Sequence, residues 1–515
     1  MVPPVRVAEL MASLSHAADL GMGLPADYAV TTCVLGLRLG DALGFDTATL
    51  QDVYYETLLR YVGCNADVQW FGSLFGDELA FRADYAALDT ADTPAVLDLI
   101  QRSIRNSEAL TRTIGAEAAI TRALGELPVV MGSFLPGHCE AAQRLSARMG
   151  FPASFVTTVG QIYARWDGNG IPPLAGEEIS PAFLCASLAH DAVIIHRVGG
   201  VAAATAMARQ RSGGTHAPKM VEAFCAQADK LLRDLVRPPR WSDVLDLEPG
   251  PRRTLDDAAL DTALEAVADF GDLKSPAFLG HSHGVAALAT RAGAVYGLPA
   301  SDTTLLRRAA LVHDIGKTGV STAIWGSPEP LSDREWEAVR LHPYHTGRVF
   351  ARAASLAAVG QVAALHHERL DGSGYHGGLP AAMQPVTARI LAAANRFRSL
   401  VEDRPHRPAC APDAAARQLR AAALQKRLDE DAVAAVLTAA GEPIAWRRQA
   451  ASATLTEREV EVIRLLARGG TMKEVAARLD IAYKTVDRHT QSIYGKIGVN
   501  TRAGATLWAV EHGLV

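Results

Sequence analysis

Apolar residues recur three and four positions apart over long stretches rich in Ala and Leu, and runs alternating every second residue are hard to find. That spacing puts the apolar side chains on one face of a helix, so the pattern predicts an all-α protein. The prediction is most detailed over 455–515. Thr456, followed by acidic Glu457 and Glu459, is expected to cap a first helix running to about Arg468, where Gly469-Gly470 stops it. Thr471 is expected to cap a second helix, KTVDRHTQSIYGKIG forms a third, and a fourth begins near Arg502. Two short helices joined by a tight turn give a helix-turn-helix, whose later helix fits a DNA major groove.

The chain also repeats itself. QIYARWDGNGIPPLAGEEI (161–179) echoes LHHERLDGSGYHGGLPAAMQ (365–384), pairing Arg165 with Arg369, Asp167 with Asp371, Gly168 with Gly372 and Gly170 with Gly374 at an offset of 204. Upstream, LLRYVGC (58–64) pairs with LVHDIGK (311–317), and Gly44 with Gly297, at an offset of 253. The difference, 253 − 204 = 49, predicts an insertion of about that length in the first copy, within 71–135. Pro-rich 237–254 reads as a linker between copies, and 443–453 as a second linker. The expected units are therefore 1–236, 255–442 and 454–515. Three units also suit 515 residues at roughly 150 per domain.

Charge and composition sharpen this. With 51 Lys+Arg against 56 Asp+Glu the chain carries −5, which excludes a wholly basic nucleic-acid coat. The last 61 residues hold nine Lys+Arg and seven Asp+Glu, a local +2. Six scattered cysteines without a CxxC pair argue against a disulfide scaffold, and no uninterrupted apolar run approaches the ~18–20 residues of a spanning helix. A cytoplasmic protein without a membrane partner is expected. Histidine is the uneven ingredient: eight of 16 fall between 281 and 376.

Those histidines stand in GHSHGV (280–285), HDIGK (313–317), LHPYHTG (341–347) and HHERLDGSGYHGGL (366–379). Imidazoles and carboxylates suit first-row metals such as Fe and Mn. Two such ions about 3.5–4 Å apart can activate water and stabilise both oxygens of an in-line phosphoester displacement. Over roughly 255–442 the chain resembles the HD-GYP branch of HD-domain metal-dependent phosphohydrolases. The resemblance implies His281, His313, Asp314, His342, His366 and His367 as ligands of one or two divalent ions, with Asp314 and Lys317 in catalytic positions. His283, His345 and His376 are extra. Asn395 stands where the family has its closing Asp, and Gly374-Tyr375-His376 replaces Gly-Tyr-Pro. Arg369, Gly374 and Tyr375 are the expected substrate-binding residues, for a phosphorylated small molecule of the cyclic nucleotide class.

In the first copy Tyr28 stands for His281, Arg60-Tyr61 for His313-Asp314, Cys64 for Lys317 and Ile162-Tyr163 for His366-His367, while His138 matches His342. His190-Asp191 falls near Asn395, with the exact partner left open. This copy is expected to be a degenerate HD-like domain without a metal centre. The C-terminal segment resembles the LuxR-type helix-turn-helix through LTERE, KEVA, KTVDRH and YGKIGVNTRA. That resemblance implies double-stranded DNA as partner, contacted by Lys484, Thr485, Arg488, His489 and Lys496, and a homodimer. Together these readings describe two HD-domain helical bundles followed by a four-helix DNA-binding domain. Two functions remain open: a transcription regulator whose HD domain senses a ligand, and an active phosphodiesterase with the helix-turn-helix as its regulated output.

Overall fold

The structure, a computed structural model, describes residues 4–89, 92–107, 110–111, 114–441 and 455–515. The second expected linker, 443–453, lies outside the described residues, as does residue 454. The fold is all-α. Among the described residues the one sheet pairs Val5–Arg6 with Thr254–Leu255, antiparallel. The chain forms two compact units, one running to Ala66 and from Trp70 to Leu260, the other comprising Asp67–Gln69 and Asp261–Val515.

In the first unit, helices Tyr28–Ala42, Thr47–Leu59 and Pro181–Gln210 form the bundle. Pro181–Gln210 is long and apolar enough to cross a membrane, but 72% of its most apolar window is buried inside the unit. Ala116–Arg148 also meets that length and composition test, with 31% buried. Between the two offset regions, helices Glu78–Tyr85, Thr93–Asn106 and Ala116–Val129 enclose a separate apolar cluster that includes Phe81, Leu99, Ile104 and Ile120. Pro-rich 237–254, expected as a linker, is instead packed into this unit. Trp241 and Val244 are buried on the short helix Trp241–Asp246. Buried Glu248 accepts from Tyr55 Oη at 2.5 Å and Arg6 Nη2 at 2.6 Å. A buried carboxylate needs such donors, and these lie 193 and 242 residues away, beyond the reach of a composition argument.

The two bundles use the same devices at matching positions. Asp19 Oδ2 accepts the Ala29 N–H at 3.0 Å, and 253 residues later Asp272 Oδ2 accepts the Ser282 N–H at 3.0 Å. A Cβ on Gly63 would stand 2.0 Å from the His138 carbonyl, and one on Gly316 would stand 2.0 Å from that of His342. These glycines let a backbone pass where any side chain would collide. Helix Ala153–Val159 matches Ala357–Ala363 at 204, whereas Pro181 and Val386 open equivalent helices at 205. The second loop therefore has one extra residue, and 190 + 205 = 395 pairs His190 with Asn395.

In the second unit, helices Glu457–Ala467, Met472–Leu479, Tyr483–Ile497 and Arg502–Glu511 close over Val462, Ile463, Val486, Ile493 and Trp508. Thr456 and Thr471 each cap a helix, accepting from Glu459 and Glu474 N–H, while those glutamates reach back to the threonine N–H groups. Leu279 also packs against this core, two residues before His281.

Gly63→Ala and Gly316→Ala should each lower the thermal unfolding midpoint by several degrees, on the order of 1–3 kcal/mol of overpacking. An unchanged midpoint would contradict the close approach.

Candidate metal centre and DNA-facing helix

The centre is built around Asp314, which follows helix Ala300–Val312 and is 3% exposed. His313 Nε2 lies 3.1 Å and His281 Nε2 3.5 Å from Asp314 Oδ2, while His366 Nε2 and His342 Nε2 lie 3.3 and 3.5 Å from Oδ1. The ligand atoms form two groups, each with its members within 4.8 Å of one another: His281, His313 and Asp314, and His342, His366 and His367. One carboxylate oxygen faces each group. The structure thus brings together all six ligands implied by the family resemblance.

Three of the rings are locked locally. His313, His342 and His366 each donate Nδ1–H to the carbonyl three residues earlier, on Ala310, Val339 and Ala363, at 2.7, 2.6 and 2.7 Å. The lone pair therefore sits on Nε2, pointing at Asp314. Burial lowers His281 to about 4 and His366 to about 3, and lowers His342 and His367 as well. Burial alone would raise the Asp314 carboxyl, but His313 and Lys317 outweigh it and hold it well below the usual range.

His313 Nε2 and both Asp314 oxygens are buried without a partner of hydrogen-bond geometry. Lone pairs converging without protons between them fit a divalent cation, in number and in chemical type. Lys317 Nζ lies 2.5 Å from Asp314 Oδ2 and 3.9 Å from the centre of the Phe278 ring, which leaves it buried beside the centre. Asn395 Oδ1 lies 3.1 Å from His281 Nε2 and accepts from Ser399 Oγ at 3.2 Å. The three extra histidines take no part in either group. His283 pairs with Asp269 at 2.9 Å, and His345 and His376 pack about Tyr344.

Beside the centre opens a cleft of about 780 Å³, walled by Trp336, Glu337 and Arg340 on one side and by Arg369 and Gly374 to His376 on the other. Tyr375 stacks on His367 with ring centres 4.6 Å apart. Gly374 has a backbone reason to be glycine, since a Cβ there would stand 2.3 Å from Arg369 N. Glu368, buried behind the loop, accepts from Gly377 N–H at 2.7 Å and Leu379 N–H at 2.9 Å. Trp336, Arg340 and Glu368 escape the sequence reading. The Glu368 position next to His367 is the one signal that could have pointed to it.

In the first unit the equivalent space is filled. Tyr28 Oη donates to the His190 carbonyl at 2.8 Å, and its ring packs on Tyr61 and His190. His138 commits both nitrogens, to Tyr163 Oη at 2.8 Å and the Ala66 carbonyl at 2.9 Å. Asp191 is bound by Arg211 at 2.6 Å and His216 at 3.0 Å. Among the described residues, no metal-capable group lies in this unit.

On helix Tyr483–Ile497, Val486, Thr490 and Ile493 face the core while Lys484, Thr485 and Arg488 are exposed and His489 is half-buried. Lys496 differs. Its ammonium bridges both oxygens of buried Glu459 at 2.8 and 2.7 Å, tying this helix to the first of the module.

The comparisons with known proteins follow this division. Residues 265–432 match the family model for the HD domain, and 453–509 match that for bacterial regulatory proteins of the luxR family. The chain carries an HD domain and a luxR-type helix-turn-helix domain. The 3'3'-cGAMP-specific phosphodiesterase 3 of Vibrio cholerae is 28% identical over 414 residues, 79% of this chain and 89% of that protein. The 3'3'-cGAMP-specific phosphodiesterase 1 of the same organism is 34% identical over 141 residues, 27% of this chain and 33% of that one. A crystal structure of a V. cholerae cyclic GMP-AMP-specific phosphodiesterase shares the fold, with a TM-score of 0.58 at 24% identity over 85% of this chain and 98% of that one. The longer alignment exceeds the HD domain's own span.

Asp314→Ala and His366→Ala in the HD domain should each cut the Mn²⁺ bound per chain at least tenfold in equilibrium dialysis, whereas His138→Ala should leave it unchanged. Equal losses from all three would mean that the first bundle also holds metal.

The first unit also carries a pH signature. Glu56 is fully buried with neither oxygen partnered, and burial, opposed by Arg60, pushes its carboxyl up to about 8. A raised carboxyl binds its proton in the folded state, so its contribution is present below the unfolded value near 4.5 and is lost as pH rises through about 8. Glu56→Gln should therefore flatten the decline in urea-unfolding stability between pH 5 and 8. An unchanged slope would place the titration elsewhere.

Proposed function

We propose that this protein is a bacterial cytoplasmic transcription regulator, acting on DNA as a homodimer. Its HD domain binds a cyclic dinucleotide in the Arg340–Arg369 cleft and, when loaded with Fe or Mn, hydrolyses it. The observation that carries this reading is the gathering of five histidines about one buried carboxylate, beside a cleft walled by two arginines and by the aromatic rings of Trp336 and Tyr375. His281, His313, Asp314, His342, His366 and His367 would hold the metal, which supplies Lewis acidity and an activated water when bound. The chain's own groups do the rest. Arg340 and Arg369 bind phosphate oxygens, Tyr375 and Trp336 offer faces for bases, and Lys317 steadies charge building beside Asp314. The phosphodiesterase names of the V. cholerae relatives support the substrate class.

The DNA side rests on exposed Lys484, Thr485 and Arg488 of the third helix of the luxR-type domain, with His489 at its flank. Leu279 joins that domain's core two residues from His281. Ligand occupancy can therefore bias the helix-turn-helix by favouring one arrangement of this loop. A second reading, a sensor that binds without turnover, draws support from neutral Asn395 at the closing position.

The test incubates the full chain with Mn²⁺ or Fe²⁺ and 3'3'-cGAMP or cyclic di-GMP and follows release of linear dinucleotide. Turnover abolished by Asp314→Ala is the expected result. Binding of the dinucleotide without any turnover would establish the sensor instead, and neither binding nor turnover would overturn both. Lys484→Ala and Arg488→Ala should each weaken promoter retention roughly tenfold (about 1–3 kcal/mol) with the fold intact. Unchanged retention would sink the DNA assignment.

A further inference from the structure

Three of the centre's histidines are oriented by the carbonyl three residues earlier in the chain, but His281 has no such lock. It is the first residue of helix His281–Tyr296, preceded by a turn with Gly280 at φ +72°. Its Nδ1 instead meets Glu402 Oε2 at 2.6 Å, 121 residues further along. Glu402 follows directly on helix Val386–Val401, the helix that also presents Asn395. Arg398 Nη2 grips its Oε1 at 2.7 Å and Arg404 Nη2 its Oε2 at 2.9 Å. Arg404 also donates to the Ala277 carbonyl. Room for Arg398 comes from Gly284, where a Cβ would stand 2.6 to 2.8 Å from the guanidinium.

Clamped between two guanidiniums, Glu402 accepts only, so the shared proton lies on His281 Nδ1 and the lone pair on Nε2. Asn395 Oδ1 already accepts from Ser399 Oγ, which leaves Nε2 and Oδ1 facing each other as two acceptors 3.1 Å apart. A cation between them resolves that opposition. Asn395 brings an oxygen to the closing position but no charge.

We infer that Glu402 is the positioning residue of His281: it fixes the tautomer that aims Nε2 at the metal and supplies, one layer out, the negative charge that Asn395 lacks. A carboxylate behind a ligand imidazole raises its basicity, and removing such a group costs 10–100-fold in metal affinity. The inference rests on reading this site as a metal centre.

The test measures Mn²⁺ affinity of the full chain by equilibrium dialysis, the visible spectrum of the Co²⁺ form, and the unfolding midpoint of each variant in chelator. Glu402→Gln keeps an acceptor and removes the charge, so a roughly tenfold weaker affinity is expected with the chelated midpoint unchanged. Glu402→Ala removes both and should approach a hundredfold loss. Asn395→Asp in the Glu402→Gln background returns the charge to the site itself and should recover most of the affinity, with the Co²⁺ spectrum altered from wild type. Glu402→Gln within twofold of wild type would overturn the inference while leaving the metal centre standing. The same holds for a loss that Asn395→Asp does not rescue, or one that tracks a lowered chelated midpoint. Failure of the wild-type chain to bind Mn²⁺ would overturn both.

Discussion

One buried carboxylate organises the second bundle. Asp314 is almost wholly out of water, a condition that costs several kcal/mol unless positive charge compensates it. Lys317 supplies one cation at 2.5 Å, itself buried and in need of a partner. Burial disfavours the charged form of His281, His342, His366 and His367, so those rings bring lone pairs more readily than positive charge. Everything else in the bundle follows from that demand. The glycine at 316 lets the Asp314 turn pass the His342 backbone, and the three i−3 carbonyls hold rings whose free nitrogens would otherwise turn away.

The first bundle shows the same frame with that demand removed. Where Asp314 would stand there is Tyr61, and the space closes with aromatic rings, a histidine hydrogen-bonded on both nitrogens and an Asp191–Arg211–His216 cluster. The paired caps of Asp19 and Asp272, and the paired close approaches of Gly63 and Gly316, persist because the backbone path requires them whether or not a metal does. Frame and chemistry are separable in this fold, and only the second copy keeps both.

How far the sequence could lead depended on the range of each interaction. Capping at Thr456 and Thr471 spans three residues, so residue order alone reveals it. The ligand cluster was legible because His313-Asp314 and His366-His367 are adjacent in the chain and distinctive in type. Glu402 was not legible: its partner lies 121 residues away, and nothing in LVEDRP marks a carboxylate as special. The Lys496–Glu459 pair, 37 residues apart, hid for the same reason, so a lysine expected among the DNA contacts also braces the module from within. The Pro-rich 237–254 misled because prolines and charges resemble a tether until the buried Glu248 and its donors are seen. The partner of Asn395 stayed open until helix starts fixed the one-residue gap on His190.

The centre's four locked rings fall into two mechanical kinds. His313, His342 and His366 are held within a single helical turn, so their aim survives any opening that leaves that turn intact. His281 is held across 121 residues, and its aim persists only while the end of helix Val386–Val401 and the loop at Leu279 keep their places. Local fluctuation will therefore release one ring long before the other three. A partly opened chain keeps His342 and His366 of one ligand group and His313 of the other in aim, so only one ring has to find its place again when the loop settles.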